Sequence, residues 1–140
     1  MPSTKHNSNG WYNDPDMVEA VCSALPQGIF GAAAPHLKDS GKGKTILLYK
    51  NYKNIGMEFP VTNQGNIGTC TSFGTSGAVD VLKVTEIALG ERAEFVNITA
   101  SEPIYYGARM LHNWRISGDG ASVALAIKYI DEYGTLARGK

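Results

Sequence analysis

The chain has little of what marks most functional classes. It has no excess charge: 13 Lys+Arg stand against 13 Asp+Glu, so neither a nucleic acid nor a membrane surface has an overall electrostatic reason to attract it. No nucleic-acid partner and no membrane partner is expected. It also lacks any apolar run approaching the roughly 18 residues of a membrane helix. Residues 1–13 hold Lys5, His6 and three asparagines but no hydrophobic stretch, so no signal peptide is expected. Cysteine is scarce, with only Cys22 and Cys70. Without export both are expected as thiols in a protein that is cytoplasmic or associated with an assembly. Histidine is limited to His6, His36 and His112. No metal and no cofactor is called for.

What is present suffices for a packed unit, since 43% of the 140 residues are hydrophobic. Residues 1–56 read as an N-terminal arm and extension. The first fifteen are Ser/Asn-rich, and Asp14 can cap a short helix with Pro15 at its first position. Met17, Val18, Val21 and Leu25 form its apolar stripe, with Cys22 adjoining it as a small core hydrophobe and Pro26 ending it. Gln27 to Gly41 is loop-like. The Gly43-Lys44-Thr45 tripeptide suggests a phosphate-binding loop, but Lys38 stands where the earlier glycine is required. Ile46-Leu47-Leu48-Tyr49 then reads as a strand where such a loop needs a helix, so the motif is rejected. The lysines 38, 42, 44, 50 and 53 read as a solvated face.

The residues around Cys70 carry more information. Glu58 to Thr62 is extended, and Gln64-Gly65-Asn66-Ile67-Gly68-Thr69-Cys70 is a glycine-punctuated loop that delivers a cysteine to the start of a long helix. Phe73, Val81, Leu82, Val84, Ile87 and Leu89 recur at helical spacings, and Gly90 stops the run. At a helix N-terminus the unpaired N–H groups and the macrodipole favour thiolate over thiol. Gln64 could bring its amide beside the same sulfur, forming with the Cys70 N–H two donors for a developing oxyanion. An inert buried cysteine behind a turn is the other reading of the same pattern. Downstream, Thr99 or Ser101 can cap a helix that carries Ile104, Tyr105, Ala108, Met110 and Leu111. Trp114-Arg115-Ile116 closes it and Gly118-Asp119-Gly120 makes a turn. A last helix runs from about Ser122 to Tyr133, with Gly134 as its stop. Asn97-Ile98-Thr99 matches a glycosylation sequon but, without export, has no route to the modifying enzyme.

Asn63-Gln64-Gly65 followed by Gly68-Thr69-Cys70-Thr71-Ser72-Phe73 resembles the nucleophile segment of papain-like cysteine peptidases. Two later stretches are similar to that family in the same order. Thr99 to Arg109 resembles its Ser-Glu/Pro segment leading into a Tyr-rich helix, bacterial members above all. Gly118 to Ser122 and the run to Tyr133-Gly134 resemble its glycine-containing substrate loop and the helix that follows. The resemblance covers about residues 57 to 136 and implies an α+β, helix-dominated fold: the helical lobe of a papain-like protein over 57–140, with the β-barrel lobe absent from this chain.

The roles it implies are specific. Cys70 would attack a peptide carbonyl, with Gln64 and the Cys70 amide as oxyanion donors. Gly68 and Thr69 would line the cleft, and Asp119 and Gly120 would border the substrate's non-primed side. Thr71 replaces the aromatic that usually follows the nucleophile. The family's catalytic His and Asn fall about 130–150 residues after the cysteine, beyond about position 200, and His112 is expected to be structural or solvent-facing. The implied partners are a peptide or protein substrate and a second lobe or partner chain over the cleft face. Gly74 and Gly77, costly in a helix interior, suggest close approach of another backbone there. A catalytically silent module in a larger assembly is the alternative.

Overall fold

The computed structural model describes residues 7–8, 11–12, 14–25, 43, 45, 47–90, 97–114 and 118–139. The loop-like 27–41 segment, lysines 38, 42 and 44, His6, His36, Ile46, Phe95, Val96, Arg115 and Ile116 lie outside them. A two-residue antiparallel pair comes first, β1 (Asn7–Ser8) with β2 (Trp11–Tyr12).

Helix α1 (Pro15–Ala24) starts as its sequence dictates, with the Asp14 carboxylate accepting the Met17 N–H at 3.3 Å and Pro15 in the first turn. Met17 and Val21, one turn apart, pack on the core. Cys22, however, is exposed and is not the core hydrophobe anticipated. Stepping one residue past Val21 rotates about 100° around the helix, away from the packed face.

Of the strand expected over 46–49, the described residues Leu47 to Tyr49 form none. Leu48 and Tyr49 turn into a short helix, α2 (Lys50–Asn54). Tyr49 and Tyr52 then both meet Phe59 edge-on, with ring centroids at 6.1 and 5.3 Å. Residues three apart share a helix face but point to opposite faces of a strand, so only the helical turn lets both rings reach Phe59. Tyr52 is the largest side chain among those fully buried.

Helix α3 (Cys70–Ala88) is the longest element, and Gly90 follows it at φ 86°. Its apolar periodicity predicts the length but not the buried face. Thr71, Ser72, Ser76, Asp80 and Val84 are buried, while Leu82 is 59% exposed. A polar helix face can be buried because its groups are satisfied locally. Ser72 Oγ donates to the Thr69 carbonyl at 2.9 Å and Ser76 Oγ to that of Phe73 at 3.1 Å. The Asp80 carboxylate accepts the Thr99 N–H at 3.0 Å and its hydroxyl at 2.6 Å.

Helices α4 (Ser101–Leu111) and α5 (Val123–Tyr133) pack together through Ile104, Tyr105, Ala108, Leu125 and Ala126, with Ala121 just ahead of α5. Burying Ile104 and Leu125 contributes about 1.5–3 kcal/mol each relative to exposure. Gly107 is the point of closest approach: a Cβ there would overlap the Tyr129 ring. Neither Thr99 nor Ser101 caps α4. Thr99 is held by Asp80, and Ala100 occupies the N-cap without a side-chain bond. After Gly134 (φ 76°) the chain returns to the start of α4. There Thr99 and Ala137 form an antiparallel bridge, and the Arg138 guanidinium grips the Glu102 carboxylate at 2.6 and 2.7 Å.

The fold is therefore helix-dominated, as expected. The α+β description is not matched among the described residues, whose only strands are β1 and β2, with the single bridge at Thr99. No helix among them is long and apolar enough to cross a membrane.

Candidate active site

Cys70 is the first residue of α3, and its side chain is exposed. The first backbone bond of the helix is Phe73 N–H to the Thr69 carbonyl at 3.1 Å, so the amides of the opening turn precede the helical ladder. The loop ahead of Cys70 is built on one acceptor. The Ile67 carbonyl receives the Thr69 N–H at 2.7 Å, the Thr69 hydroxyl at 3.4 Å and the Gln64 Nε2 at 3.1 Å. Gly65 (φ 67°) makes the turn that brings Gln64 back over it, while its N–H is taken by the Asn63 side chain at 2.8 Å. Gln64 is thus fixed beside the loop that carries Cys70, with one amide hydrogen committed to Ile67. An amide nitrogen has two hydrogens, so a second remains for another acceptor.

Cys70 heads a ridge. Gly74, Ala78 and Leu82 follow it at intervals of four, the spacing that aligns side chains along a helix. The ridge spans about 18 Å at 1.5 Å per residue. It forms one wall of a groove of about 430 Å³, and Val123, Ile127 and Ile130 of α5 form the other. Val123 and Ile127 remain 42% and 44% exposed, so this wall is apolar and uncovered. Neither Gly74 nor Gly77 meets anything within 4 Å of where a Cβ would stand. The close backbone approach inferred for them is therefore not made by α4 or any other described element of this chain.

The remaining candidates divide. Gly120 is buried and Asp119 exposed, and their turn lies shortly before Val123 of the groove wall. Thr69 is only 9% exposed and lines a separate hollow of about 100 Å³ with Ser72, Ser101 and Tyr105. Its side chain faces α4 and not the groove. Gly68, half-buried, joins it to Ile67. Thr71 is buried, and its hydroxyl has no hydrogen-bond partner. His112 closes α4 at the end away from that hollow, roughly 16 Å along the axis from Ser101. Among the described residues no group of three His, Cys, Asp or Glu could hold a metal ion.

Sequence reasoning missed Arg109. Its Nη1 donates to the Gly118 and Gly120 carbonyls, both at 2.7 Å, and to the Tyr105 hydroxyl at 3.3 Å. The available signal was an aromatic and a cation four residues apart on α4, facing a Gly-Asp-Gly turn. No protein-family model, curated protein or solved structure matches the chain.

Proposed function

We propose that the chain is the nucleophile-bearing half of a papain-like cysteine peptidase, acting on peptide or protein substrates. The observation that carries this reading is Cys70, exposed at the first position of the longest helix and heading an uncovered apolar ridge. Cys70 Sγ attacks the peptide carbonyl, and the opening amides of α3, joined by the second Gln64 amide hydrogen, stabilise the oxyanion. The general base comes from a second lobe or a partner chain that closes over the ridge. In this reading His112, at the C-terminal end of α4, is structural.

The exposure of both cysteines provides the test. A short peptidyl chloromethyl ketone should alkylate Cys70 in strong preference to Cys22, as read by peptide mapping. Equal labelling of the two, or preference for Cys22, overturns the assignment. The chain alone should show negligible turnover of denatured protein, because in this reading the group that accepts and returns the proton belongs to the second lobe or partner. Turnover abolished by both Cys70→Ala and His112→Ala would place the base in this chain. One observation favours a second reading, a catalytically silent module of a larger assembly. Thr71 stands where the family has an aromatic, and its buried hydroxyl is unsatisfied, a cost that no catalytic role accounts for.

A further inference from the structure

We infer that Arg109 and Tyr105 are positioning residues, which hold the 118–120 turn as a fixed wall for the non-primed side of a bound peptide. The function of the turn rests on the papain-like reading above; the way it is held rests on its hydrogen bonds.

All three carbonyls of the turn accept hydrogen bonds from α4. Arg109 Nη1 takes those of Gly118 and Gly120 at 2.7 Å. The Tyr105 hydroxyl donates to that of Asp119 at 2.8 Å. The two donors are themselves coupled, with Arg109 Nη1 3.3 Å from the Tyr105 hydroxyl and its Cζ 5.5 Å from the centre of the Tyr105 ring. A Gly-Asp-Gly turn is otherwise among the most conformationally permissive of sequences, and Gly118 sits at φ 75°. Charge-assisted bonds are about twice as strong as neutral ones, which suits one cation to hold two carbonyls.

The clamp is rooted in the core. Tyr105 is 9% exposed and Ala108, next to Arg109, is fully buried. The turn is fixed in its other direction by buried Ala121 and Ser122, which lead directly to Val123 on the wall of the Cys70 groove. A substrate strand laid from Cys70 towards Asp119 thus meets a surface already ordered, and a displacement of about 1 Å in such a surface can cost 100-fold in rate.

The test compares two reagents with the same warhead on the full chain. A short peptidyl chloromethyl ketone and chloroacetone both alkylate by the same step: the Cys70 thiol gives its proton to the buffer, and a bond forms from Sγ to the methylene carbon as chloride leaves. Only the first carries a peptide to position, so the ratio of their rates at Cys70 reads guidance by the turn. Arg109→Met should lower that ratio roughly 10- to 100-fold and leave the chloroacetone rate unchanged. Arg109→Lys, which keeps the charge but not the planar fork, should recover part of it. Tyr105→Phe removes one hydroxyl with little change in packing and should give a smaller loss; it decides the matter if Arg109→Met fails to fold. An unchanged ratio in the folded variants overturns the inference while leaving the papain-like reading in place. A wild-type chain that reacts no faster with the peptidyl reagent overturns both.

Discussion

The same substitution, glycine to alanine inside a helix, should have opposite signs at two places in this chain. At Gly107 a Cβ would stand 2.5 Å from Tyr129 Cγ and closer still to Cδ2 and Cε2. These atoms include the root of the ring, so the whole side chain must move and not only its tip. Overpacking of this kind costs about 1–3 kcal/mol. Moving Tyr129 also disturbs its stack on Tyr133, at 5.0 Å between centroids, an interaction worth about 0.5–1.5 kcal/mol. Against this stands the gain of about 1 kcal/mol from replacing a helical glycine. The net expectation for Gly107→Ala is a loss of about 2 kcal/mol. At Gly74 the new methyl meets nothing within 4 Å, so the helical gain of about 1 kcal/mol is realised in full. For a chain of this size each kcal/mol moves Tm by roughly 3–5 °C. Gly107→Ala should therefore melt roughly 6–10 °C lower, and Gly74→Ala roughly 3–5 °C higher, by calorimetry or circular dichroism. Tyr129→Leu should remove most of the Gly107→Ala penalty in the double variant, since the two sites share one contact. A neutral Gly107→Ala would refute the packing argument. A destabilising Gly74→Ala in the isolated chain would mean that something already lies against the ridge of α3.

Asp80→Ala should cost about 3–5 kcal/mol in urea unfolding, because it strands the buried Thr99 N–H and hydroxyl without their acceptor; Asp80→Asn, which keeps one acceptor oxygen, should cost less. Burial, aided by the negative charge of Asp80, raises the Tyr52 phenol above the ordinary 10.0. Its folded value exceeds its unfolded one, so its contribution to stability is complete below about pH 10 and is lost as pH climbs through the folded value. Ionisation of Tyr52 together with the exposed tyrosines, followed at 295 nm and compared with Tyr52→Phe, would count against this. Glu102→Gln should cost less than about 1 kcal/mol, since the Arg138 pair is largely solvated despite its good geometry.

The helices of this chain are legible wherever local chemistry decides them. Asp14 and Pro15 announce α1, the loop glycines and Gly90 bracket α3, and Gly134 ends α5. The orientation of α3 was not legible. A periodicity of apolar residues assigns Leu82 inward and Ser76 and Asp80 outward, because it cannot see that hydroxyls bond back to their own helix or that Thr99 arrives to satisfy a carboxylate. Glycine misled for a related reason. Gly74 and Gly77 look like contact points, whereas the close approach is at Gly107, where the partner is a tyrosine 22 positions away. Of the site, Cys70 and its loop could be read from sequence, since they are contiguous. The Arg109 clamp left only the spacing of Tyr105 and Arg109 as a trace, because its acceptors are backbone carbonyls and carry no side-chain signature.

The bridge between Thr99 and Ala137 makes the α4–α5 hairpin start and finish at one place. The Ala100 N–H donates to the Leu136 carbonyl at 2.8 Å and the Arg138 N–H to that of Ile98 at 2.7 Å, so some 40 residues form a closed circuit. Its two ends are joined at the base, and the 118–120 turn is held by Arg109. The amides of α4 and α5 should therefore exchange with solvent together, as one cooperative unit. Helix α1 has no fully buried residue and meets the core through the half-buried Met17 and Val21, so its amides should exchange ahead of that unit.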